Sequence, residues 1–280
     1  MDLSIIIVNY NTLELTKACI ESVVQNTHEI EYEIIVVDNN SNDGSQSFFS
    51  QFEGIRFIES GDNLGFGRAN NLGFSHSTGR YLLMLNSDTI VENDILGRML
   101  KHFYKQPKDV GCLGSLLVHA NHQPCFSYGY YPRWKDEFLC GKKEKNTTTI
   151  SGAQQEVEYI SGADLFVRRD VAEKYGLFDP DFFMYYEDVE ICYRYAKHGY
   201  KSVILPETGI VHLDGGSHKS SYRKVCMTSS TYILYLRKTL GLLEFVVAKS
   251  LIVLRRLFTV WHYQWSFKNS LKYIGLLIKS

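Results

Sequence analysis

The sequence predicts an α/β fold built on a mostly parallel, doubly wound sheet, with a helical appendage at the C-terminus. Three observations carry that reading. Apolar, β-branched runs alternate with stretches of helical spacing through roughly the first 110 residues. Those runs are apolar at consecutive positions, as strands buried on both faces are. The charge divides along the chain, so that the C-terminal segment stands apart electrostatically.

The first run, Leu3 to Val8, is ended by Asn9-Tyr10-Asn11-Thr12, and helical spacing of Leu13, Ala18, Ile20 and Val23 follows. Glu33 to Val37 repeats the pattern and ends in Asp38-Asn39-Asn40-Ser41-Asn42-Asp43-Gly44-Ser45, after which another helix can start. Ile55 to Glu59 is a short third strand. The stretch Gly61 to Gly73 reads as a loop feeding a helix that runs to about Ser77. Tyr81 to Leu85 is a fourth strand, and it stops abruptly at Asn86-Ser87-Asp88-Thr89.

In an open parallel sheet the strand ends share one edge, and ligands bind in the crevice beyond it. Asn, Asp, Ser and Gly are the ordinary residues of turns and caps. Repeated Asn/Asp-rich tips exceed that expectation and describe a polar crevice. Asp88, with the amide oxygen of Asn86 two residues away, offers hard oxygen ligands of the kind that hold Mg2+ or Mn2+ against a diphosphate. The alternative is that Asp88 caps a helix beginning near Glu92. Asp38 can accept from an N–H of a uracil or thymine ring, with Asn9 and Tyr10 bordering or stacking on it. Gly65 and Gly67 suggest a dinucleotide fingerprint, but Asn70 stands where the third glycine belongs and the loop does not open from the first strand, which argues against NAD.

From Val110 the alternation weakens, and the polar stretch Gly141 to Gln155 reads as a surface excursion. Glu158 to Asp170 is a strand broken at Gly162, where a backbone or a ligand comes close. The aromatic run Phe182-Phe183-Met184-Tyr185-Tyr186 leads into Glu187 and Asp188 at the start of a helix. Acids there are favoured by the helix dipole. In a wall partly withdrawn from water, one of them can also serve as a general base. His212 ends a strand running from Lys201 to Val211 and opens the Gly-rich loop Leu213 to His218. Its two readings are a structural histidine and a residue at a metal or phosphate.

Composition bounds the rest. A chain of 280 residues with 45% hydrophobic and 22% charged content is globular, with room for one sizeable domain and an appendage. Lys249 to Ser280 holds six Lys or Arg and no acid, so against a chain total of −1 the first 248 residues carry −7. The six cysteines show no C-x-x-C pair and no metal-ligand rhythm with the nine histidines, and read as reduced thiols of a cytosolic protein. No secretory signal precedes the first strand, and no run approaches the 18 or so apolar residues of a membrane span. The tail interleaves Leu240, Phe245, Leu251, Leu257, Phe258, Trp261 and Trp265 with isolated basic residues. Such helices lie in a membrane interface, or else pack on the main domain or a second copy of the chain. The one-signed charge favours the membrane.

Taken together, Ile7-Val8-Asn9-Tyr10-Asn11, Val37-Asp38-Asn39-Asn40-Ser41, Asn63-Leu64-Gly65-Phe66-Gly67, Leu85-Asn86-Ser87-Asp88, Gly162-Ala163 and Glu187-Asp188 form an ordered set. In it the chain resembles the inverting family 2 glycosyltransferases of the GT-A fold, in particular the rhamnosyltransferase-like branch that builds bacterial surface polysaccharides. The resemblance runs from about Leu3 to Ser217. It implies that residues 1–222 form the catalytic domain, with a nucleotide-binding half to about 110 and an acceptor half from 111, followed by a basic amphipathic tail over 223–280. Asp38 would hold the pyrimidine of a UDP- or dTDP-sugar, with Asn9 near it, and Asn63 and Asn70 would line the pocket. Tyr10, Asn40, Gly65, Asn86, Ser87 and Gly162 belong to the same nucleotide-sugar set. Asp88 would bind the divalent metal, Mg2+ or Mn2+, with His212 approaching it. Asp188 would take the proton of the acceptor hydroxyl, supported by Glu187. The family's usual Asp-x-Asp is here Asn86-Ser87-Asp88, which leaves one carboxylate for the metal.

The implied partners are a nucleotide-sugar donor, with dTDP-rhamnose the first guess, and a glycan or lipid-linked glycan acceptor. No nucleic acid is expected. The expected location is cytoplasmic, at the inner face of the plasma membrane, with a homodimer as the alternative use of the tail. The competing function is a nucleotide-sugar-binding or scaffold protein of the same fold without turnover. A nucleotidyltransferase would want a basic Gly-rich loop after the first strand, which Asn9 to Leu13 lacks.

Overall fold

The computed structural model describes residues 1–138, 147–213, 221–263 and 265–280, with backbone only for Trp261 and His262. The chain divides into two compact units. One comprises Met1–Tyr131, Asn146–Phe183 and Glu187–Gly216, the other Pro132–Lys145, Met184–Tyr186 and Ser217–Ser280.

In the first unit strand and helix alternate: β1 (Leu3–Asn9), α1 (Leu13–Asn26), β2 (Tyr32–Asp38), α2 (Ser45–Phe49), β3 (Arg56–Glu59), α3 (Phe66–Ser75) and β4 (Tyr81–Asn86). Next come β5 (Thr89–Val91), α4 (Ile95–Lys105), β6 (Val110–Gly114), β7 (Tyr128–Gly129), β8 (Gln155–Val157), β9 (Tyr159–Ile160) and β10 (Asp164–Arg168). The unit closes with α5 (Arg169–Tyr175), α6 (Glu187–Lys197), β11 (Lys201–Ile204) and β12 (Ile210–His212). An eight-stranded sheet runs in the order β3-β2-β1-β4-β10-β6-β11-β8. Pairing is parallel from β3 to β4 and between β6 and β11, whereas β10 and β8 are antiparallel to their neighbours. The sheet is therefore mostly parallel, as the runs of β-branched residues predict.

β1 lies inside the sheet, and its alternation explains why Ile5, Ile6 and Ile7 are all apolar. Ile5 and Ile7 join Cys19, Ile20 and Val23 of α1 and Ile95 and Met99 of α4 on one face. Ile6 points to the other face, with Val37 of β2 and Ala69 of α3. Burying each of the Ile, Val and Met side chains among these contributes about 1.5–3 kcal/mol. Gly73 lets α3 approach this face closely, since a Cβ there would stand 2.5 Å from Ile6 Cγ2.

Two boundaries differ from the sequence reading, and both trace to one ribbon. The helix expected near Glu92 begins at Ile95, because Thr89 to Val91 is taken up as β5, antiparallel to β12. Asp88 accordingly precedes a strand, and the helix-cap alternative does not apply to it. The strand expected over Lys201 to Val211 is two strands in different sheets. Pro206 between them has no N–H for a ladder, and Gly209 adopts φ +147°. The expected loop Asp214 to His218, and the polar excursion up to Asn146, lie outside the described residues.

The second unit is helical: α7 (Tyr222–Thr239), α8 (Leu242–Thr259) and α9 (Phe267–Lys279), with a short 3-10 turn at Trp134–Glu137. Glu137 accepts from Arg255 Nη1 at 3.0 Å and Arg256 Nη2 at 3.1 Å, and Trp134 Nε1 donates to Glu244 at 3.1 Å. Tyr186 stacks on Tyr232 with ring centroids 5.5 Å apart. Among the described residues no helix is long and apolar enough to cross a membrane.

Candidate active site

β1, β2 and β4 end level, with Asn9 opposite Asp38 and Val8 opposite Asn86. Their polar tips therefore sit side by side. Asn9 Nδ2 donates to Asp38 Oδ1 at 2.7 Å and to Ser41 Oγ at 3.0 Å. Thr12 and Thr16 hydroxyls donate to Asn9 Oδ1, which fixes the orientation of this amide. Asp38 is fully buried, and its Oδ2 accepts from Ser41 N at 2.9 Å and Gln46 Nε2 at 3.0 Å. Tyr10 beside it is 46% exposed.

The neighbouring loop is organised by Asn39 rather than Asn40. Asn39 Nδ2 donates to Asn63 Oδ1 and to the Gly65 carbonyl, while its Oδ1 accepts from Leu64 N at 2.8 Å. Asn63 Oδ1 also accepts from Gly65 N. Asn40 adopts φ +64° and is exposed. Gly65, at φ +79°, starts α3, where Phe66 N donates to the Phe183 carbonyl at 2.8 Å; any Cβ on Gly65 would collide with that carbonyl. Asn70 is buried within α3, its Nδ2 donating to the Phe66 carbonyl, and its Oδ1 has no hydrogen-bond partner among the described residues.

At the tip of β4, Asn86 N donates to the Ala163 carbonyl, and Ser87 Oγ accepts from Thr12 at 3.3 Å. Asp88 Oδ1 lies 3.3 Å from His212 Nε2, and both side chains keep about a fifth of their surface exposed (21% and 17%). The β5–β12 pairing creates this juxtaposition by setting His212 opposite Thr89. No group of three His, Cys, Asp or Glu capable of holding a metal occurs among the described residues. The Asp88 carboxylate is a hard oxygen donor of the kind that fits Mg2+ or Mn2+, which take most of their ligands from phosphate oxygens and water, whereas an imidazole fits the softer Mn2+ better than Mg2+.

Asp188 sits at the start of α6, where its Oδ2 accepts from Gly162 N at 3.2 Å, and its Oδ1 from Val189 N at 2.9 Å. Gly162 adjoins the β4 edge through the Ala163–Asn86 bond, so Asp188 is tied to the polar tips. Glu187 is buried, with Oε2 unpartnered among the described residues. Burial, then the neighbouring charge of Asp188, pushes its carboxyl from 4.5 up to about 8. Burial also raises Asp188, while the Gly162 and Val189 N–H groups oppose that rise. A buried carboxyl with an oxygen left unpartnered keeps its proton, and the one holding two N–H donors is the better anion.

Sequence reasoning missed Asn39, Ser41, Gln46 and Asp164. The first two lie within the Asp38–Ser41 motif, but which amide turns inward is set by the backbone. Asp164, read only as part of a strand, is fully buried on β10. Its Oδ2 accepts from Ser115 N at 2.8 Å and Ser115 Oγ at 2.6 Å. Burial pushes it from 3.8 up to about 7, with the Ser115 bonds opposing. Asp164 and Glu187 thus hold their protons more tightly folded than unfolded. The stability this contributes is complete below their ordinary values and is lost as pH rises through about 7 and about 8. Melting curves are expected to shift down between pH 5 and pH 9, with Asp164 contributing on the order of 3 kcal/mol. Asp164→Asn should flatten that slope; an unchanged slope counts against a buried acid there.

The family model for glycosyl transferase family 2 matches residues 4–176. The chain belongs to glycosyl transferase family 2. It is a glycosyltransferase, and its relatives include rhamnosyltransferases. It is 27% identical over 237 residues to the N-acetylglucosaminyl-diphospho-decaprenol L-rhamnosyltransferase of Mycobacterium tuberculosis, covering 71% of this chain and 73% of that protein. To the rhamnosyltransferase WbbL of Escherichia coli K12 it is 25% identical over 231 residues, covering 79% and 86%. The glycosyltransferase shares the GT-A fold of S. aureus TarS residues 1–349 in complex with UDP (TM-score 0.60, 14% identity, 96% of this chain and 74% of that one). A second structural relative is GalNAc-T7 with UDP, GalNAc and Mn2+ (TM-score 0.57, 17% identity, 82% and 48%).

Proposed function

We propose that this glycosyltransferase moves a sugar from a dTDP- or UDP-sugar, dTDP-rhamnose before the others, to a hydroxyl of a lipid-linked or growing surface glycan, with inversion. The observation that carries the chemistry is the pair at the start of α6. Asp188 is held by two N–H donors against Gly162 at the edge where the nucleotide tips meet, beside a Glu187 that stays neutral. Asp188 accepts the proton of the acceptor hydroxyl as that oxygen bonds to the anomeric carbon. The bond from that carbon to the donor diphosphate breaks, and the nucleoside diphosphate leaves with the electron pair. A single displacement inverts the centre. Asp88 and His212 hold Mg2+ or Mn2+ in this reading, which when bound offsets the negative charge of the departing diphosphate. The rhamnosyl donor and lipid-linked acceptor are supported by the names of the relatives, and the nucleotide by the UDP in two structural relatives.

Recognition of the base carries its own condition. Gln46 Nε2 donates to Asp38 Oδ2, so a pyrimidine N–H that bonds to this oxygen competes with it. Gln46→Ala removes that competitor and is expected to tighten nucleotide binding about fivefold, the equivalent of one net hydrogen bond of ~1 kcal/mol. Weaker binding by this variant would instead make Gln46 a support for Asp38.

The reading is tested by calorimetric titration with UDP and with dTDP, each with and without Mn2+ or Mg2+. Metal-strengthened binding of one nucleotide is expected, and the tighter one names the donor class. Failure of both nucleotides to bind under every condition would overturn the donor site, whereas binding without turnover on any acceptor favours a nucleotide-sugar-binding protein.

A further inference from the structure

We infer that the C-terminal helices form a docking face for an anionic lipid bilayer. α8 is largely apolar, and Ala248 and Ile252 bury one side of it. On the other side Leu243, Val247, Leu254 and Phe258 recur at helical spacing, and Leu243 and Phe258 are 83% and 74% exposed. α9 repeats the arrangement, with Phe267, Leu271 and Ile278 exposed along one stripe while Tyr273, Ile274 and Leu277 are buried. Single exposed apolar residues are ordinary, but two successive helices that each expose a continuous stripe mark an interaction surface.

Charge identifies the occupant. Lys268, Lys272 and Lys279 are exposed on α9, each one residue past Phe267, Leu271 or Ile278, so the cations border the apolar stripe. After Glu244 the chain has no acid at all, and Glu244 itself accepts from Trp134. A second copy docked about a two-fold axis would set these lysines against an equally basic surface with no carboxylates to receive them. A bilayer with anionic headgroups meets both demands, taking the apolar stripes below the headgroups and the lysines at their level. The 18 residues of α8 span about 27 Å and the helix carries four charged residues, which suits lying along a surface rather than crossing it. The inference is independent of the nucleotide-site reading. If that reading also holds, the catalytic unit is tethered to the surface in which a lipid-linked acceptor is confined, raising its effective concentration.

The test is flotation of the full chain, without nucleotide or metal, with vesicles of pure phosphatidylcholine and of phosphatidylcholine containing phosphatidylglycerol. The chain is expected to float with the anionic vesicles and to be released by high salt or by omission of phosphatidylglycerol. Leu254→Glu combined with Phe258→Glu, both at exposed positions, is expected to weaken partitioning about a hundredfold, and Lys268→Gln with Lys272→Gln roughly tenfold. An unchanged far-ultraviolet circular dichroism spectrum and melting temperature in these variants show that the fold is intact. Wild-type chain that stays in solution with anionic vesicles overturns the inference. So does self-association by sedimentation that the same substitutions abolish without any vesicle binding, which would identify a second copy as the occupant.

Discussion

Asp188→Asn is expected to lower turnover by about 10²- to 10⁴-fold, the range typical of a positioned general base, while leaving nucleotide affinity at its wild-type value. The substitution keeps the shape of the side chain and one oxygen, which can accept from either the Gly162 or the Val189 N–H group, so one of the two bonds that hold the loop at Gly162 survives. The capacity to take a proton is lost with the other. The pH profile of the wild-type enzyme separates the two acids. Activity should rise on the acid side as Asp188, raised by burial, loses its proton, and should fall on the alkaline side near pH 8 as Glu187 ionises. Glu187→Gln keeps a neutral group there, so it is expected to retain most of the turnover and to remove the alkaline limb. Near-normal turnover in Asp188→Asn would sink the base assignment, and an equal loss in Glu187→Gln would show that the roles have been divided wrongly.

A comparably large loss is expected at Asp88. With one carboxylate in Asn86-Ser87-Asp88, no second acid in that motif can hold the metal, and Lewis-acid stabilisation of a leaving group is worth several kcal/mol. Asp88→Ala should therefore reduce turnover by about 10²-fold or more and abolish the metal-dependent part of nucleotide binding, leaving the metal-free part near wild type. His212→Ala should follow in the same direction with a smaller effect, since the carboxylate remains. Manganese binding followed by its paramagnetic resonance signal checks this without any turnover. Asp88→Ala that binds Mn2+ and UDP or dTDP as the wild type does would remove Asp88 from the metal.

Much of the first unit was legible because its strands are buried on both faces. Ile5, Ile6 and Ile7 are all core residues, so the run of β-branched residues is itself the signal, and the polar tips mark where each strand leaves the core. The reading lost accuracy where a long-range pairing decides local structure. Nothing near Thr89 announces that it will pair with His212, yet that ribbon delays α4, splits the strand after Lys201 and sets His212 beside Asp88. Asn39 and Asn40 are identical in sequence terms, and only the positive φ of Asn40 sends one outward and the other into the network. Asp164 was hidden differently, since a carboxylate inside an apolar strand gives no periodic signal and its Ser115 partner comes from the distant end of β6.

The contact between Gly65 and Phe183 bears on how such enzymes diverge. The carbonyl of Phe183 completes the first turn of α3, and it does so where only a residue without a Cβ can stand. The loop before α3 and the segment leading to Asp188 are thereby joined at a point with no room for a gradual change at residue 65. Mutational paths through this point are conditional: a side chain at 65 becomes acceptable only after the backbone at 183 has retreated. Among relatives these two sites are expected to change jointly or to stay fixed, so the loop before α3 and the segment leading to Asp188 form one heritable block even though they lie far apart in the gene.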